Sequence, residues 1–285
     1  MREIHEQSIV DSVRSMVQEA NFNLEEDLLE KIRVAEKVEK SETGRSILQQ
    51  ILKNAEICKN ERLAACQDTG VSVVFIQLGE EVRLVGDTIS ENILVSAINR
   101  GVAEGYKEGY LRKSIVRDPI DRVNTGDNTP AMMNIEIVPG DRLRITVMAK
   151  GGGCENMSTL KMLTPSQGIE GVKKFVLDTV EVAHANPCPP VIVGVGIGGN
   201  FENCALLAKK ALLRPIGKPH SNPFYAEFEK EMLEQINKLG IGPQGFGGIT
   251  TALAVHVEVK PCHIASLPAA VNLDCHSHRQ KEVIL

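Results

Sequence analysis

Tryptophan is absent from this 285-residue sequence, and aromatic residues make up only 4% of it. The core must therefore be aliphatic, and aromatic platforms that stack on nucleic-acid bases or sugars are not expected. No apolar run approaches the roughly 18 residues that a membrane-spanning helix needs, and the N-terminus MREIHEQSIVDSV lacks the apolar region of a signal peptide. We expect a cytoplasmic protein without a membrane partner.

An excess of basic residues is also missing. Lys and Arg number 32 against 37 Asp and Glu, which gives a net charge of −5 and a pI near 5.9. This balance argues against a nucleic-acid partner. Hydrophobic residues at 42% and charged residues at 24% are ordinary values that exclude wholesale disorder. The length suits one large domain or two modest ones.

The spacing C-x₂-C does not occur, which excludes a compact zinc ribbon and a ferredoxin-type run. An odd number of cysteines, seven, in a cytoplasmic chain points to thiols, metal binding or catalysis instead of disulfides. Cys66 precedes a polar cluster, and Cys188 is held between prolines that restrict the backbone. One alternative is a zinc site built from Cys262, His263, Cys275 and His278.

Hydrophobic periodicity predicts alternating helices and strands. Residues 1–60 form a helical segment, whose first apolar stripe contains Ile9, Val10, Val13, Met16 and Val17. Further helices are predicted near 90–111, 168–184, 201–213 and 223–239. Strands are predicted at 71–76, 142–148, 191–195 and 252–259. The fold class is therefore α/β, with mixed α/β layers over about 61–285, an N-terminal helical segment and a subdomain boundary near 150.

Two glycine motifs follow predicted strands. Residues 194–199 match G-x-G-x-x-G, but the acidic residue expected about 20 positions later is missing, which favours a tight strand-to-helix turn over a dinucleotide site. A nicotinamide-dependent dehydrogenase stays an alternative. The run Lys150-Gly151-Gly152-Gly153 can expose backbone N–H groups to an anion or form a flexible turn. Cys154, which follows it, is a ligand, a nucleophile or a bystander.

Five segments resemble, in order and over essentially the whole chain, the α subunit of class I, iron–sulfur fumarate hydratase. They are Ala65-Cys66-Gln67-Asp68-Thr69-Gly70, Val123-Asn124-Thr125-Gly126, Lys150-Gly151-Gly152-Gly153, Cys188-Pro189-Pro190-Val191 and Leu239-Gly240-Ile241-Gly242-Pro243-Gln244-Gly245. The α subunit of L(+)-tartrate dehydratase belongs to the same superfamily. The resemblance identifies residues 1–285 as a cluster-binding catalytic α subunit with the iron–sulfur hydro-lyase α-subunit fold.

The resemblance implies a [4Fe–4S] cluster held by Cys66, Cys188 and Cys275. Three thiolates leave one iron without a protein ligand, and such an open metal site is a catalytic one. That iron would act as a Lewis acid in the reversible hydration of fumarate to L-malate.

By the same resemblance, Arg112 and the backbone of Gly152 bind the carboxylates of this small dicarboxylate substrate, and Gln67 lines the site. Asp68 and His263 are the expected catalytic residues. Single-chain members carry a C-terminal domain that supplies the base. We therefore expect a separate β subunit, a hetero-oligomer, and no hydratase activity from this chain alone.

One residue departs from the pattern, because Cys154 stands where the family usually has serine. This feature is associated with the tartrate relative, so L(+)-tartrate is an alternative substrate. A non-catalytic metal carrier, cluster carrier or sensor is a further alternative, although it would not need Arg112 or the glycine loop.

Overall fold

The structure, a computed structural model, describes residues 2–86 and 92–285. In these ranges the helices are α1 (Glu6–Phe22), α2 (Glu26–Val38), α3 (Glu42–Glu61), α4 (Ile93–Glu108), α5 (Gly152–Glu155), α6 (Gly168–Ala183), α7 (Phe201–Ala211) and α8 (Pro223–Lys238). The strands are β1 (Arg2–His5), β2 (Val71–Gly79), β3 (Val82–Val85), β4 (Met132–Val138), β5 (Leu143–Lys150), β6 (Thr159–Leu163), β7 (Val191–Gly198), β8 (Ala252–Lys260), β9 (Leu267–Asp274) and β10 (Gln280–Ile284). This content confirms the predicted mixed α/β class with its N-terminal helices.

The chain divides into two compact units, each made of segments that are distant in sequence. The first unit contains Met1–Leu24, Ala55–Gly152 and Arg279–Leu285. The second unit contains Glu25–Asn54 and Gly153–His278. None of the helices in the described ranges combines the length and the hydropathy that a bilayer crossing requires.

The first unit is built on a four-stranded sheet in the order β10-β5-β2-β4. β2 is parallel to β4 and antiparallel to β5, which in turn is antiparallel to β10. The predicted stripe of α1 is buried in an aliphatic core that it shares with α4 and the sheet. α1 and α4 can approach closely because Gly101 has no side chain. A Cβ at this position would lie only 2.8 Å from the carbonyl oxygen of Val10. This core holds β2 and β5 and so supports the loops that flank these two strands.

The second unit is built on a four-stranded sheet in the order β6-β9-β7-β8. β7 is parallel to β8 and antiparallel to β9, and β9 is antiparallel to β6. Alternate residues of β7, such as Val193 and Val195, are buried in a core with residues of α6 and α8. The residues between them face α7, as the period of two in a strand requires.

The glycines at 194–199 serve packing at this second face. A Cβ on Gly194 would lie 2.1 Å from the carbonyl oxygen of Ala208, and one on Gly196 would lie 2.1 Å from that of Cys204. Only strand residues without side chains let α7 come this close. The turn itself falls at Gly198, where φ is +88°. The motif therefore joins a strand to a helix, as predicted, and three of its four glycines belong to the strand.

The predicted helix over 90–111 corresponds to α4, and its predicted residues 90 and 91 lie outside the described residues. Asn92 begins this helix by accepting the N–H of Val95 with its side chain at 3.3 Å. The other predicted helices match α6, α7 and α8 to within about two residues at each end, the usual scatter at helix ends. The proposed boundary near residue 150 stays a prediction.

Candidate active site

Cys188 and Cys275 lie at the same end of the second-unit sheet. Cys188 precedes β7 by three residues, and Cys275 directly follows β9. These strands are antiparallel, with Asp274 paired to Ile192, so the end of one strand meets the start of the other. The ring Nδ1 of His276 lies 2.9 Å from the carbonyl oxygen of Cys188. The fold thus brings two of the three predicted cluster ligands to one sheet end.

The backbone around Cys188 is held in an unusual conformation. Its φ is +55°, in the left-handed region that few non-glycine residues occupy. Its N–H donates to the carbonyl oxygen of Ala185 at 3.0 Å. The next carbonyl, that of Pro189, accepts the side-chain amide of Gln244 at 3.1 Å. Gln244 also lies 3.0 Å from Nδ1 of His276, so it connects the two cysteine segments.

The loop that carries Gln244 is anchored by Glu39, at the end of α2. The Glu39 carboxylate is 1% exposed and accepts the N–H groups of Ile249 and Thr250, each at 3.0 Å. Burial raises the pKa of Glu39, but donors that include the N–H groups of Ser41 and Ile249 outweigh it and lower the pKa below its ordinary value. A charged, buried side chain therefore fixes this loop of the second unit.

Cys154 joins this end of the sheet as a third thiol. It lies in α5, is 4% exposed, and donates its thiol hydrogen to the carbonyl oxygen of Pro187 at 3.4 Å. The ligand atoms of Cys154, Asp274 and Cys275 all lie within 4.8 Å of one another. Sequence reasoning singled out Cys154 without a role and missed Asp274, whose only signal is its position beside Cys275.

The donor set in the second unit fits an iron–sulfur cluster. All seven cysteines lie in the described ranges and none is joined in a disulfide, so the thiol groups of Cys188 and Cys275 can ligate. Thiolates are the ligands that iron–sulfur clusters use. Cys188 is exposed and Cys275 is 8% exposed, which gives one side chain facing solvent and one held inside.

In the first unit, Asp68 connects the Cys66 loop to the glycine motif. Its Oδ2 accepts the N–H of Gly152 at 2.7 Å, and its Oδ1 accepts the N–H of Gly70 at 3.0 Å. Its carbonyl oxygen accepts Nη1 of Arg279 at 2.7 Å. Cys66, two residues earlier, donates its thiol hydrogen to Oε1 of Gln67 at 3.5 Å. Four of the predicted site residues are therefore neighbours in this unit.

Gly70 must be glycine for this arrangement to exist. Its φ is +73°, and a Cβ there would lie 2.5 Å from the carbonyl oxygen of Lys150. The close approach brings the start of β2 against the end of β5, where the glycine motif begins. The turn after Asp68 and the run of glycines are therefore placed together by the pairing of these two strands.

Arg112 lies beside the same loop. Its carbonyl oxygen accepts the hydroxyl of Thr69 at 2.7 Å, and its side chain is exposed. In the part of the chain that the structure describes, no acidic side chain forms an ion pair with its guanidinium. An arginine that keeps its fork of N–H donors open can bind a carboxylate in a bidentate way.

His263 lies at the opposite end of β9 from Cys275. His263 precedes the strand, and its side chain is exposed. Its Nδ1 accepts the N–H of Ala265 at 3.1 Å. The eight residues of β9 span about 26 Å at roughly 3.3 Å each. The structure therefore does not bring His263 to Cys275 within one chain, and its catalytic role stays a prediction.

The same separation makes the alternative zinc site wrong. Cys262 and His263 precede β9, whereas Cys275 and His278 follow it. The strand length holds the two pairs apart, and Nδ1 of His278 lies instead 2.5 Å from Oδ2 of Asp274.

The sequence profile of the fumarate hydratase (Fumerase) family matches residues 10–284. The chain therefore belongs to the fumarate hydratase family, a family of hydro-lyases, which confirms the predicted membership. A Methanocaldococcus jannaschii protein with the provisional name L(+)-tartrate dehydratase subunit alpha is 42% identical over 280 residues, which cover 95% of each chain.

Two Escherichia coli relatives carry the name L(+)-tartrate dehydratase subunit alpha. That of strain UTI89 is 37% identical over 98% of this chain and 93% of its own. That of strain K12 is 35% identical over 100% of this chain and 94% of its own. The chain thus matches these α subunits over nearly their full length.

Proposed function

We propose that this chain is the α subunit of a two-subunit iron–sulfur hydro-lyase that adds water to, or removes it from, a four-carbon dicarboxylate. The observation that carries the proposal is the meeting of the Cys188 and Cys275 segments at one end of the second-unit sheet, with the His276 ring 2.9 Å from the Cys188 carbonyl oxygen. Family membership supports the reaction class.

In this proposal Cys66, Cys188 and Cys275 hold a [4Fe–4S] cluster. When bound, the cluster supplies an open iron that acts as a Lewis acid on the substrate hydroxyl. The three thiol groups would hold three of its irons, and Gln244 and His276 hold the backbone carbonyl groups of Pro189 and Cys188. Such neighbours of ligating residues fix the direction of the ligand atom.

The first unit supplies the groups that bind and orient the substrate. Arg112 binds a substrate carboxylate, and Gln67, which follows Cys66 in the same loop, lines the site. The carboxylate of Asp68 is oriented by two backbone donors, the N–H groups of Gly70 and Gly152. Each of its oxygens keeps a second lone pair, so the carboxylate can accept a proton from the water that is added and return it to the hydroxyl that leaves in the reverse direction.

Two substrates are candidates. The sequence resemblance implies fumarate and L-malate, as does the family name. The names of the relatives imply L(+)-tartrate, and Cys154 is the residue in this chain that favours it. We further propose that a β subunit, implied by the name "subunit alpha" of these relatives, completes the active site and supplies the base that takes the proton from carbon, while Asp68 exchanges the proton of water.

The test is to measure iron and acid-labile sulfide per chain in protein purified without oxygen. We expect about four of each, as in a cubane cluster. Zinc, or no metal, in protein never exposed to air contradicts the proposal. The chain co-produced with its β subunit is then assayed with L-malate and L(+)-tartrate. Full turnover by the isolated chain contradicts the two-subunit proposal. Of L-malate and L(+)-tartrate, the one that the complex converts with the larger kcat/KM is identified as the substrate.

A further inference from the structure

Cys154, Asp274 and Cys275 place two sulfur atoms and one carboxylate oxygen within 4.8 Å of one another in the second unit. All three residues are buried, with 4%, 2% and 8% of their surface exposed. We propose that this trio is a binding site for a single divalent cation of the Zn²⁺ or Fe²⁺ type. The site shares Cys275 with the proposed cluster but has its own ligands in Cys154 and Asp274.

The chemistry of the three ligands selects this class of ion. Zn²⁺ and Fe²⁺ accept thiolates together with a carboxylate, whereas Ca²⁺ and Mg²⁺ require oxygen ligands. Metal–sulfur bonds of about 2.3 Å and metal–oxygen bonds of about 2.1 Å in a tetrahedron place the ligand atoms roughly 3.5–3.8 Å apart. The distances between the two sulfur atoms and the carboxylate oxygen therefore need to shorten by up to about 1 Å when the ion binds. A water molecule can take the fourth coordination position of the ion.

Groups around the trio orient its ligand atoms. Nδ1 of His278 lies 2.5 Å from Oδ2 of Asp274, a carboxylate–histidine contact of the kind that supports metal ligands. The ring of His278 is 1% exposed, so Asp274 is held against a rigid neighbour. The hydroxyl of Ser277 lies 3.2 Å from Sγ of Cys275 and can donate to its thiolate.

Cys275 cannot bind the single ion and a cluster at the same time. The cation site is therefore a property of the chain without its cluster, before assembly or after loss. This exclusion rests on the proposed function, but the cation site does not, because its three ligands lie on the chain whatever the cluster content.

The experiment adds Co²⁺, a spectroscopic probe for zinc sites, to the full-length chain made metal-free without oxygen. Four proteins are compared: the natural chain, Cys154→Ser, Cys188→Ser and Cys262→Ser. We expect one Co²⁺ per chain, with thiolate charge-transfer bands, in all except Cys154→Ser. That variant should bind at least about 100-fold more weakly, because it loses a ligand. Bands that persist in Cys154→Ser, disappear in Cys188→Ser, or are absent from the natural chain overturn the proposal.

A second measurement does not depend on the folding of any variant. X-ray absorption of the Zn²⁺-loaded natural chain should show two sulfur and two oxygen or nitrogen neighbours. Three sulfur neighbours, or none, overturn the assignment of the ligands. Iron and sulfide contents after anaerobic reconstitution separate the two proposals: the natural chain and Cys154→Ser should both assemble a full cluster. A natural chain that assembles none refutes the proposed function, while the cobalt result still decides the cation site.

Discussion

The carboxylate oxygen Oδ2 of Asp68 accepts the backbone N–H of Gly152 at 2.7 Å, across 84 residues of sequence. The two residues come from different motifs, one after a predicted helix and one after a predicted strand. The hydrogen bond places a carboxylate directly beside the glycine run. It also means that this N–H donates to Asp68, so in the proposed site Gly152 would act by orienting that carboxylate.

We predict that Asp68→Asn in the complete two-subunit enzyme lowers kcat by about 100-fold or more while iron and sulfide stay unchanged. The amide cannot accept a proton as the carboxylate does. The measurement is steady-state kinetics together with iron analysis. Asp118→Asn is a matched control, since Asp118 also accepts two backbone N–H groups, on an exposed turn. Equal losses in the two variants would contradict a catalytic role for Asp68.

Cys188→Ser is expected to prevent cluster assembly, because a hydroxyl is a poor replacement for a thiolate ligand. Iron and sulfide should fall well below the natural content after anaerobic reconstitution. Cys262→Ser is the control, as Cys262 is an exposed cysteine of the same unit. A Cys188→Ser protein with full iron and sulfide would show that this cysteine is not a ligand.

Arg112→Ala should lower kcat/KM by roughly 100-fold with an intact cluster, since a bidentate, charge-assisted contact to a carboxylate is lost. Arg112→Lys keeps the charge but not the fork, so it should recover only part of the activity. Arg83→Ala, on the surface of the same unit, should have no effect. Loss of iron from Arg112→Ala would show that the residue is structural instead.

His256 is expected to make stability depend on pH. Burial, followed by the charges of Arg214 and His278, lowers its pKa from 6.5 to about 4. The unfolded chain therefore binds a proton between about pH 6.5 and pH 4 that the folded chain excludes. Its contribution to stability is complete above about pH 6.5 and is lost as the pH falls toward 4.

The free energy of unfolding should fall by about 2 kcal/mol from this group between pH 7 and pH 5. Urea unfolding of the natural chain and of His256→Gln at both pH values measures this change. In the variant, the dependence of the unfolding free energy on pH should be smaller by about 2 kcal/mol. His5→Gln, at an exposed histidine, should keep the slope. An unchanged slope in His256→Gln would contradict the assignment.

Gly196→Ala should destabilise the protein by about 3 kcal/mol, because the added methyl meets the backbone of α7 at Cys204 and Ala208. Gly151→Ala is the control, since a Cβ there makes only ordinary contacts from 3.4 Å outward. Thermal unfolding measures both variants.

The same packing leaves no room at Gly196 for a dinucleotide, so titration of the natural chain with NAD should show no binding.

The helices were predictable from sequence because each depends on neighbours three or four residues away. The stripe of Ile9, Val13 and Val17 shows which face of α1 is buried without any knowledge of the partner. β7 was predictable for a related reason, since a strand buried on both faces is a continuous apolar run, and β8 begins with such a run at residues 252–255.

Other strands carried a weaker signal. β9 contains Pro268, Asn272 and Asp274, which argue against a strand when taken alone. It forms because β6 and β7 pair with it on both sides. That pairing also places Asp274 beside Cys154 and moves His263 to the far end of the strand, and neither result can be obtained from spacing along the chain.

The sequence by itself determined the class of the protein, because its thiols and glycine runs are short local segments and their order along the chain shows the family. Only the tertiary structure decided which of these residues meet. Glu39 and Ile249, 210 residues apart, come into contact because the burial of apolar faces and the pairing of strands close the long loops between them. The choice among such closures depends on the whole core, and no segment carries that information alone.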